Sequence, residues 1–541
     1  MIRSGVSMST GSPSVPGALQ AAPASRAGSG VGRQVWAAFR RIILDPPAAW
    51  LRRRSPAGRD AVLYVLAATF AGLTIVVAGI ALYRAWGEMA VGPYAGAAVV
   101  AFGTSWWQRR RERAGSPPSR RVIVGLRLCA FGIALVGATL APLTMEVIWR
   151  SEGNAAAHVQ PEVLVVERAG VRVVAGQDPY RVIDRNGHIL IHQSAEPVYE
   201  LYYPYLPGMV IFGFSSGSKV EAQLTDARIQ FLIVTFAVAA FALWRLKAPA
   251  DRRVRSWQVL TALPTAALPL ATGGDDMPVV ALMLLGLVGL QRRRPYLAGL
   301  ALGAASSLKF TAWPLAVLAA WVVFDRRPRR ATPWYVAGVV VVTGAVVLPV
   351  ALANPAAFID NVVRFPLGLS GIASPAASPL PGHLLVSAFP RWHRVYVYVL
   401  VLGGGALLAL RLWKAPPRDA AAAATFTGWV MLIAIMLAPA TRFGYLLYPV
   451  DLFAWGWMLR RADEPAAATP SGWSGVHGRA LPSLRRRATS GLPGGGGVAV
   501  SPAGGLRRDA VQLESGTSKI VSANGVAPVA LSGEITTPHS Q

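Results

Sequence analysis

The sequence predicts an all-α polytopic membrane protein of roughly twelve transmembrane helices, including two short hairpins, with one long outer loop. Three observations carry that prediction. Hydrophobic residues make up 53% of the 541 residues and charged ones 15%, and the mean hydropathy is positive; this is too apolar for a soluble chain and too long for a single anchor. The formal charge of +27 comes from arginines clustered between apolar runs, the pattern of cytoplasmic loops and not of a nucleic-acid-binding surface. The stretch 150–227 is instead rich in carboxylates and tyrosines.

Residues 1–60 read as a disordered, basic cytoplasmic region. Their Ser, Gly, Ala and Pro lack the order of a signal peptide, and the first run of spanning length starts near Ala61. Two N-terminal spans (61–83 and 90–107) lead to a basic cytoplasmic loop, 108–121, holding Arg109, Arg110, Arg111, Arg113, Arg120 and Arg121. A third span, 122–149, then ends outside, which makes 150–227 extracytoplasmic. Span 228–246 returns to Arg252, Arg253 and Arg255.

The next four runs, 257–272, 277–291, 296–310 and 312–324, are short, about 24 Å or less at 1.5 Å per residue. Arginine clusters bracket them in pairs, so they read as two hairpins with tips at Asp275, Asp276 and at Lys309. Charged tips on short helices need a water-filled cavity, because a Lys or Asp facing lipid near mid-bilayer costs about 2.5–3.5 kcal/mol or more. Spans 334–352, 395–412, 421–437 and 443–459 complete a membrane domain at 122–459. A second outer loop, 354–394, carries an amphipathic stretch at 357–369. Residues 460–541 read as a disordered cytoplasmic tail.

Arginine dominates the basic residues, and Ala, Gly and Pro are abundant, as in GC-rich genomes of the actinobacterial kind. Cys129 is the only cysteine, so neither an intramolecular disulfide nor a thiolate metal cluster can form.

The first outer loop offers Glu152, Glu162, Glu167, Asp178, Asp184, Glu196 and Glu200. Glu162 stands among Pro161, Val163, Leu164, Val165 and Val166, where partial desolvation would suit a proton-accepting carboxylate. Asp178, before Pro179, is suited to forming a turn. Lys309 and Arg442 fall at outer helix ends and could hold a phosphate or snorkel to headgroups. Asp275 and Asp276 could bind sugar hydroxyls or a divalent ion, although two adjacent acids alone do not make a metal site. Tyr199, Tyr202, Tyr203 and Tyr205 could stack on sugar rings or form an interfacial belt. His188 and His192 would share a helix face, and Asp451, inside the last span, is expected to pair with an arginine.

Order and spacing then add a resemblance. Glu162 precedes Gly176 by fourteen residues, with the small pair Ala169 and Gly170 midway and the turn Gly-Gln-Asp-Pro-Tyr at 176–180. This resembles the first outer loop of glycosyltransferase family 87, the alpha-mannosyltransferase-like enzymes of the GT-C class, in an actinobacterial form. Tyr203 to Pro207 resembles the family's Y-x-P-x element. Gly273 to Asp276 with Ala298, Gly299 and Lys309 resembles its G-x-x-D and A-G-(x)-K stretch, and 441–445 with Tyr448 and Pro449 its closing helix. The resemblance spans 122–459 and leaves the first two spans and both tails outside.

The resemblance implies a GT-C fold and an inverting hexosyltransferase, mannose foremost. Such an enzyme takes the sugar from a polyprenyl-phosphate donor to a lipid or glycan acceptor at the outer face of the plasma membrane, with both termini cytoplasmic. It implies Glu162 as general base with Glu167 as the alternate, Lys309 and Arg442 on the donor phosphate, and Asp178, Tyr180, Tyr203, Tyr205, Asp275 and Asp276 around the substrates. No metal or other cofactor is expected. One departure stands out: the family position is usually Asp, and the extra methylene of Glu162 asks for a reshaped pocket. The rival readings are a secondary transporter, against which the lack of two similar halves counts, and a non-catalytic envelope-assembly protein.

Overall fold

The computed structural model describes residues 50–460 apart from 52, 154, 181–196, 218–221, 247, 326–330, 371 and 373. The expectations for Asp184, His188, His192, Glu196 and both tails therefore fall outside the described residues, apart from 50–60. Among those residues the chain is helical without strands; its one β-like feature is an isolated bridge between Ala377 and Thr441.

The helices that build the bundle are α1 (Pro56–Val77), α2 (Ala81–Arg113), α3 (Arg120–Glu152), α4 (Pro161–Val174), α5 (Ala227–Leu246), α6 (Ala250–Trp257) and α7 (Pro264–Thr272). They continue with α8 (Asp276–Gln291), α9 (Pro295–Leu308), α10 (Trp313–Asp325), α11 (Ala331–Ala353), α12 (Pro390–Lys414), α13 (Ala420–Leu437) and α14 (Leu447–Arg460). Six of them, α1, α3, α5, α11, α12 and α13, are long and apolar enough to cross a membrane. The expected count of twelve is not reached on that measure. The pairs α7–α8 and α9–α10 turn back below spanning length, and α2, though 33 residues long, carries Arg84 and Glu88 near one end and Arg109 to Arg113 at the other.

The first turn also differs from the expected boundary. α1 stops at Val77 and α2 starts at Ala81, so Tyr83 opens the second helix and does not close the first. α2 and α3 approach closely where Pro93 meets Gly137: a Cβ on Gly137 would sit 2.3 Å from the proline Cγ. α9 and α11 meet through glycines, since a Cβ at Gly299 would lie 2.4 Å from the Tyr335 carbonyl and one at Gly303 2.9 Å from that of Gly338. Small residues four apart let apolar helices touch backbone to backbone.

Two apolar cores result, one centred on α4, α5, α8, α9 and α10 and the other on α1, α2, α3 and α7. Arginines gather at one end of the bundle. Arg292 there donates to the carbonyls of Arg245 and Leu246 at 2.9 and 2.7 Å, capping the C-terminus of α5 with positive charge.

The stretch expected as an interfacial helix at 357–369 is a short α-turn, Pro355–Ile359, running into a π-turn, Asp360–Arg364. Part of its polar side faces protein, although Arg364 is exposed. Asp360 and Asn361 are buried, and the Asn361 Oδ1 accepts the Tyr203 N–H at 2.8 Å.

Candidate active site

The helix that carries Glu162 is anchored before it begins. Gln160, its N-cap, donates its own backbone N–H to the Thr272 carbonyl at 3.1 Å, and its amide Nε2 donates to the hydroxyls of Thr272 at 2.7 Å and Tyr83 at 2.9 Å. The end of α7, the start of α2 and the start of α4 are thus tied at one residue. Gly273 permits this approach, because a Cβ there would sit 2.6 Å from the Gln160 Oε1. Pro161 then occupies the first helical position, where its missing N–H costs nothing.

Further along α4, Gly170 packs against Gly213, a Cβ on the former falling 2.2 Å from the latter's carbonyl carbon. That contact gives a physical reason for the small pair at 169–170.

Arg442 is fixed from the other side of the molecule. Thr441 donates its N–H to the Ala376 carbonyl at 2.7 Å and accepts from the Ser378 N–H at 2.9 Å, while the Phe443 N–H reaches the Ser378 hydroxyl at 3.1 Å. The backbone on both sides of Arg442 is therefore pinned, and its guanidinium Nη1 meets the Glu162 Oε1. The second oxygen, Glu162 Oε2, is buried with no hydrogen-bond partner.

This ion pair stands in the wall between two cavities. One, of about 240 Å³, has Tyr205, Asp276, Lys309, Tyr202 and Phe365 around it as well as Glu162 and Arg442. The other, of about 720 Å³, is lined by Ile80, Leu82, Tyr83, Val159 and Phe443 together with the same two charged residues. The two hairpin tips meet at the smaller cavity. Lys309 Nζ lies 2.9 Å from Asp275 Oδ2 and 2.5 Å from Asp276 Oδ1, and 4.8 Å from the centre of the Tyr205 ring. Tyr448 donates its hydroxyl to Asp276 at 2.6 Å.

Lys309 is thus buried between two carboxylates from the other hairpin. An ammonium has three N–H donors, so one remains after both aspartates are served. Tyr202 stacks on Phe365 at 4.4 Å. Burial, then the neighbouring Asp360 carboxylate, push its hydroxyl up to about 12, which keeps it protonated near neutral pH. Glu200, also in this wall, is held by Arg168 at 3.2 Å.

The remaining candidates are placed elsewhere. Glu167, on the same helix as Glu162, accepts both Nη atoms of Arg150 at 3.0 and 2.6 Å and the Ala227 N–H at 3.0 Å, and it lines neither cavity. Asp178 accepts the Tyr180 N–H at 2.8 Å beside Gly176 at φ +73°, a turn with the geometry its sequence foretold. Tyr180 and Tyr203 are buried in the core, the Tyr180 hydroxyl bonding the Tyr205 carbonyl at 2.8 Å. Asp275 stands behind Asp276, reaching the cavity through Lys309 and Tyr205. Asp451 is fully buried with neither oxygen hydrogen-bonded, so the arginine partner expected for it is not found among the described residues.

The pairing of Glu162 with Arg442, the anchoring by Gln160 and the hydroxyl of Tyr448 on Asp276 were not foreseen. Only Tyr448 had a sequence signal, in its motif with Pro449. Among the described residues no group of three or more His, Cys, Asp or Glu side chains is arranged to hold a metal ion.

No curated protein and no solved structure matches the chain. One family model matches residues 220–439, a segment that contains Asp275, Asp276 and Lys309 but begins after Glu162 and Tyr205 and ends before Arg442. That model is glycosyltransferase family 87, so residues 220–439 of the chain are similar to this family's region.

Proposed function

We propose that the protein moves a hexose, mannose foremost, from a polyprenyl-phosphate carrier to a lipid or glycan acceptor at the outer face of the plasma membrane, with both termini cytoplasmic. The single observation that carries this reading is the Glu162 carboxylate in a wall shared by two cavities, one oxygen on Arg442 and the other without a partner. A bisubstrate transfer needs two adjoining sites with a base where they meet.

In this reading the smaller, charged cavity takes the donor phosphate and sugar, and the larger, mainly apolar one takes the acceptor. Glu162 accepts the proton of the acceptor hydroxyl as that oxygen attacks the anomeric carbon. The bond from that carbon to the phosphate oxygen breaks, and polyprenyl phosphate leaves with the electron pair. One displacement inverts the anomeric centre. Arg442 keeps further N–H donors beyond the one on Glu162, and Lys309 keeps one beyond its aspartates; both can steady the departing charge. Asp276 and Tyr205 are positioned to contact sugar hydroxyls. The arginine clusters at one end of the bundle support the orientation.

The test is transfer by purified protein in lipid, using labelled polyprenyl-phosphate mannose and a membrane extract as acceptor source. Product with the wild type and none with Glu162→Gln is expected. No product from any polyprenyl-phosphate sugar would overturn the donor assignment.

A further inference from the structure

The turn between α1 and α2 lies outside the segment matched by the family model, yet it closes one side of the larger cavity. Ile80, Ala81, Leu82 and Tyr83 line that cavity, and none of them lines the smaller one. The turn is held stiffly. A Cβ at Gly87 would sit 2.7 Å from the Ala71 carbonyl oxygen, so α1 and α2 touch backbone to backbone. Trp86, one turn after Leu82, donates its indole N–H to the Ala138 carbonyl at 2.8 Å. A wall fixed in advance loses little freedom when a ligand binds.

Its two ends differ in polarity. Ile80 is 53% exposed, and Val76 and Val77, in the last turn of α1, are more exposed still; Phe443, 54% exposed, lines the same cavity. Exposed apolar side chains therefore continue from the end of a helix long enough to cross a membrane into the cavity wall. Tyr83 is different. Its hydroxyl accepts from Gln160 Nε2 at 2.9 Å, two residues before Glu162, and its own hydrogen has no acceptor among the described residues. A phenolic hydroxyl both donates and accepts, so this hydrogen is left for a ligand oxygen in the cavity that Glu162 also lines.

We propose that the α1–α2 hairpin selects the acceptor: Tyr83 donates its hydroxyl hydrogen to a sugar oxygen, and Ile80 and Phe443 hold an alkyl or prenyl chain attached to that sugar. The acceptor is then a glycolipid that reaches the cavity from the bilayer, on the reading that this cavity is the acceptor site.

Two measurements on the full chain in lipid nanodiscs test it. An octyl mannoside with a diazirine at the end of its chain is photo-cross-linked and the labelled peptides are mapped; in parallel, KM and kcat for octyl and methyl mannoside are measured with labelled polyprenyl-phosphate mannose. Label at residues 76–83 or at Phe443, suppressed by excess octyl but not methyl mannoside, is expected. Each buried CH₂ is worth about a factor of four in affinity, so octyl mannoside should have a KM lower by more than about tenfold. Ile80→Gln, at an exposed turn, should remove most of that preference. Tyr83→Phe should raise the KM of both mannosides about fivefold, the loss of one neutral hydrogen bond, with the donor KM unchanged. Label spread evenly over the exposed apolar helices, or transfer with no chain-length preference, overturns the apolar track. A fall in kcat in Tyr83→Phe with every KM unchanged makes Tyr83 only an anchor for Gln160 and overturns its part in selection. Suppressible label at the turn without transfer from any polyprenyl-phosphate sugar supports the binding wall and counts against the transfer reading alone.

Discussion

Glu162 and Arg442, 280 positions apart in the chain, touch through a carboxylate oxygen and a guanidinium nitrogen in the wall that two cavities share. The contact orients the carboxylate and leaves its second oxygen for a proton. Glu162→Gln keeps the shape and removes proton acceptance, so transfer rates should fall by about 10²–10⁴ while the melting temperature stays close to that of the wild type. Glu162→Asp shortens the reach to Arg442 and should leave partial activity. Near-normal turnover in Glu162→Gln would remove it as the base.

Arg442→Lys retains a positive charge but loses the planar fork. A guanidinium can hold Glu162 and a phosphate together, whereas an ammonium serves them as a single point charge. Donor titration should show KM raised about tenfold, the loss of one charge-assisted hydrogen bond, with a smaller change in the acceptor KM. An unchanged donor KM would separate Arg442 from the phosphate.

Lys309→Ala leaves Asp275 and Asp276 adjacent and buried without their cation, which should destabilise the fold by about 3–5 kcal/mol. Adding Asp276→Asn removes one of the opposed carboxylates and should restore a good part of the melting temperature but not the activity. Full activity and stability in the single variant would contradict the ion cluster.

Glu167→Gln tests a carboxylate on the same helix with a different task. Its amide still accepts the Ala227 N–H but no longer neutralises Arg150. A loss of about 1–3 kcal/mol in stability is expected, with kcat within a few-fold of the wild type. A collapse of kcat at unchanged stability would instead return Glu167 to the chemistry.

Gly170→Ala puts a methyl group within 2.2 Å of the Gly213 carbonyl carbon, a clash between backbones that no rotamer relieves. Expression and melting temperature should drop sharply, by more than the roughly 1–3 kcal/mol typical of overpacking. Gly103→Ala, on the open side of α2 with nothing within 4 Å, is the control and should be silent.

The sequence made the helical class legible through its apolar runs and arginine clusters, and it placed Asp275, Asp276 and Lys309 at hairpin tips because charge interrupts short helices there. Spacing picked out Glu162 and the turn at 176–180. Apolar pattern did not reveal who partners whom across the bundle. Asp60 and Arg127, 67 positions apart, carry no pairing signal in the sequence and are ion-paired in the fold; Glu167 resembled Glu162 in composition and differs only by the helix face it occupies. Tyr180 and Tyr203 could not be told from Tyr205, since aromatic residues in one loop divide between core and cavity by backbone path.

The segment matched by the family model holds one hairpin tip with two acids and the other with a lysine, yet the cavity above them is closed by residues from both sides of it: Glu162 and Tyr205 before, Arg442 after. On the proposed mechanism the recognisable core is accordingly not the smallest part that can act. A chain trimmed to 220–439 would keep the family signature and lose the proposed base, its guanidinium partner and the Gln160 clasp in a single cut.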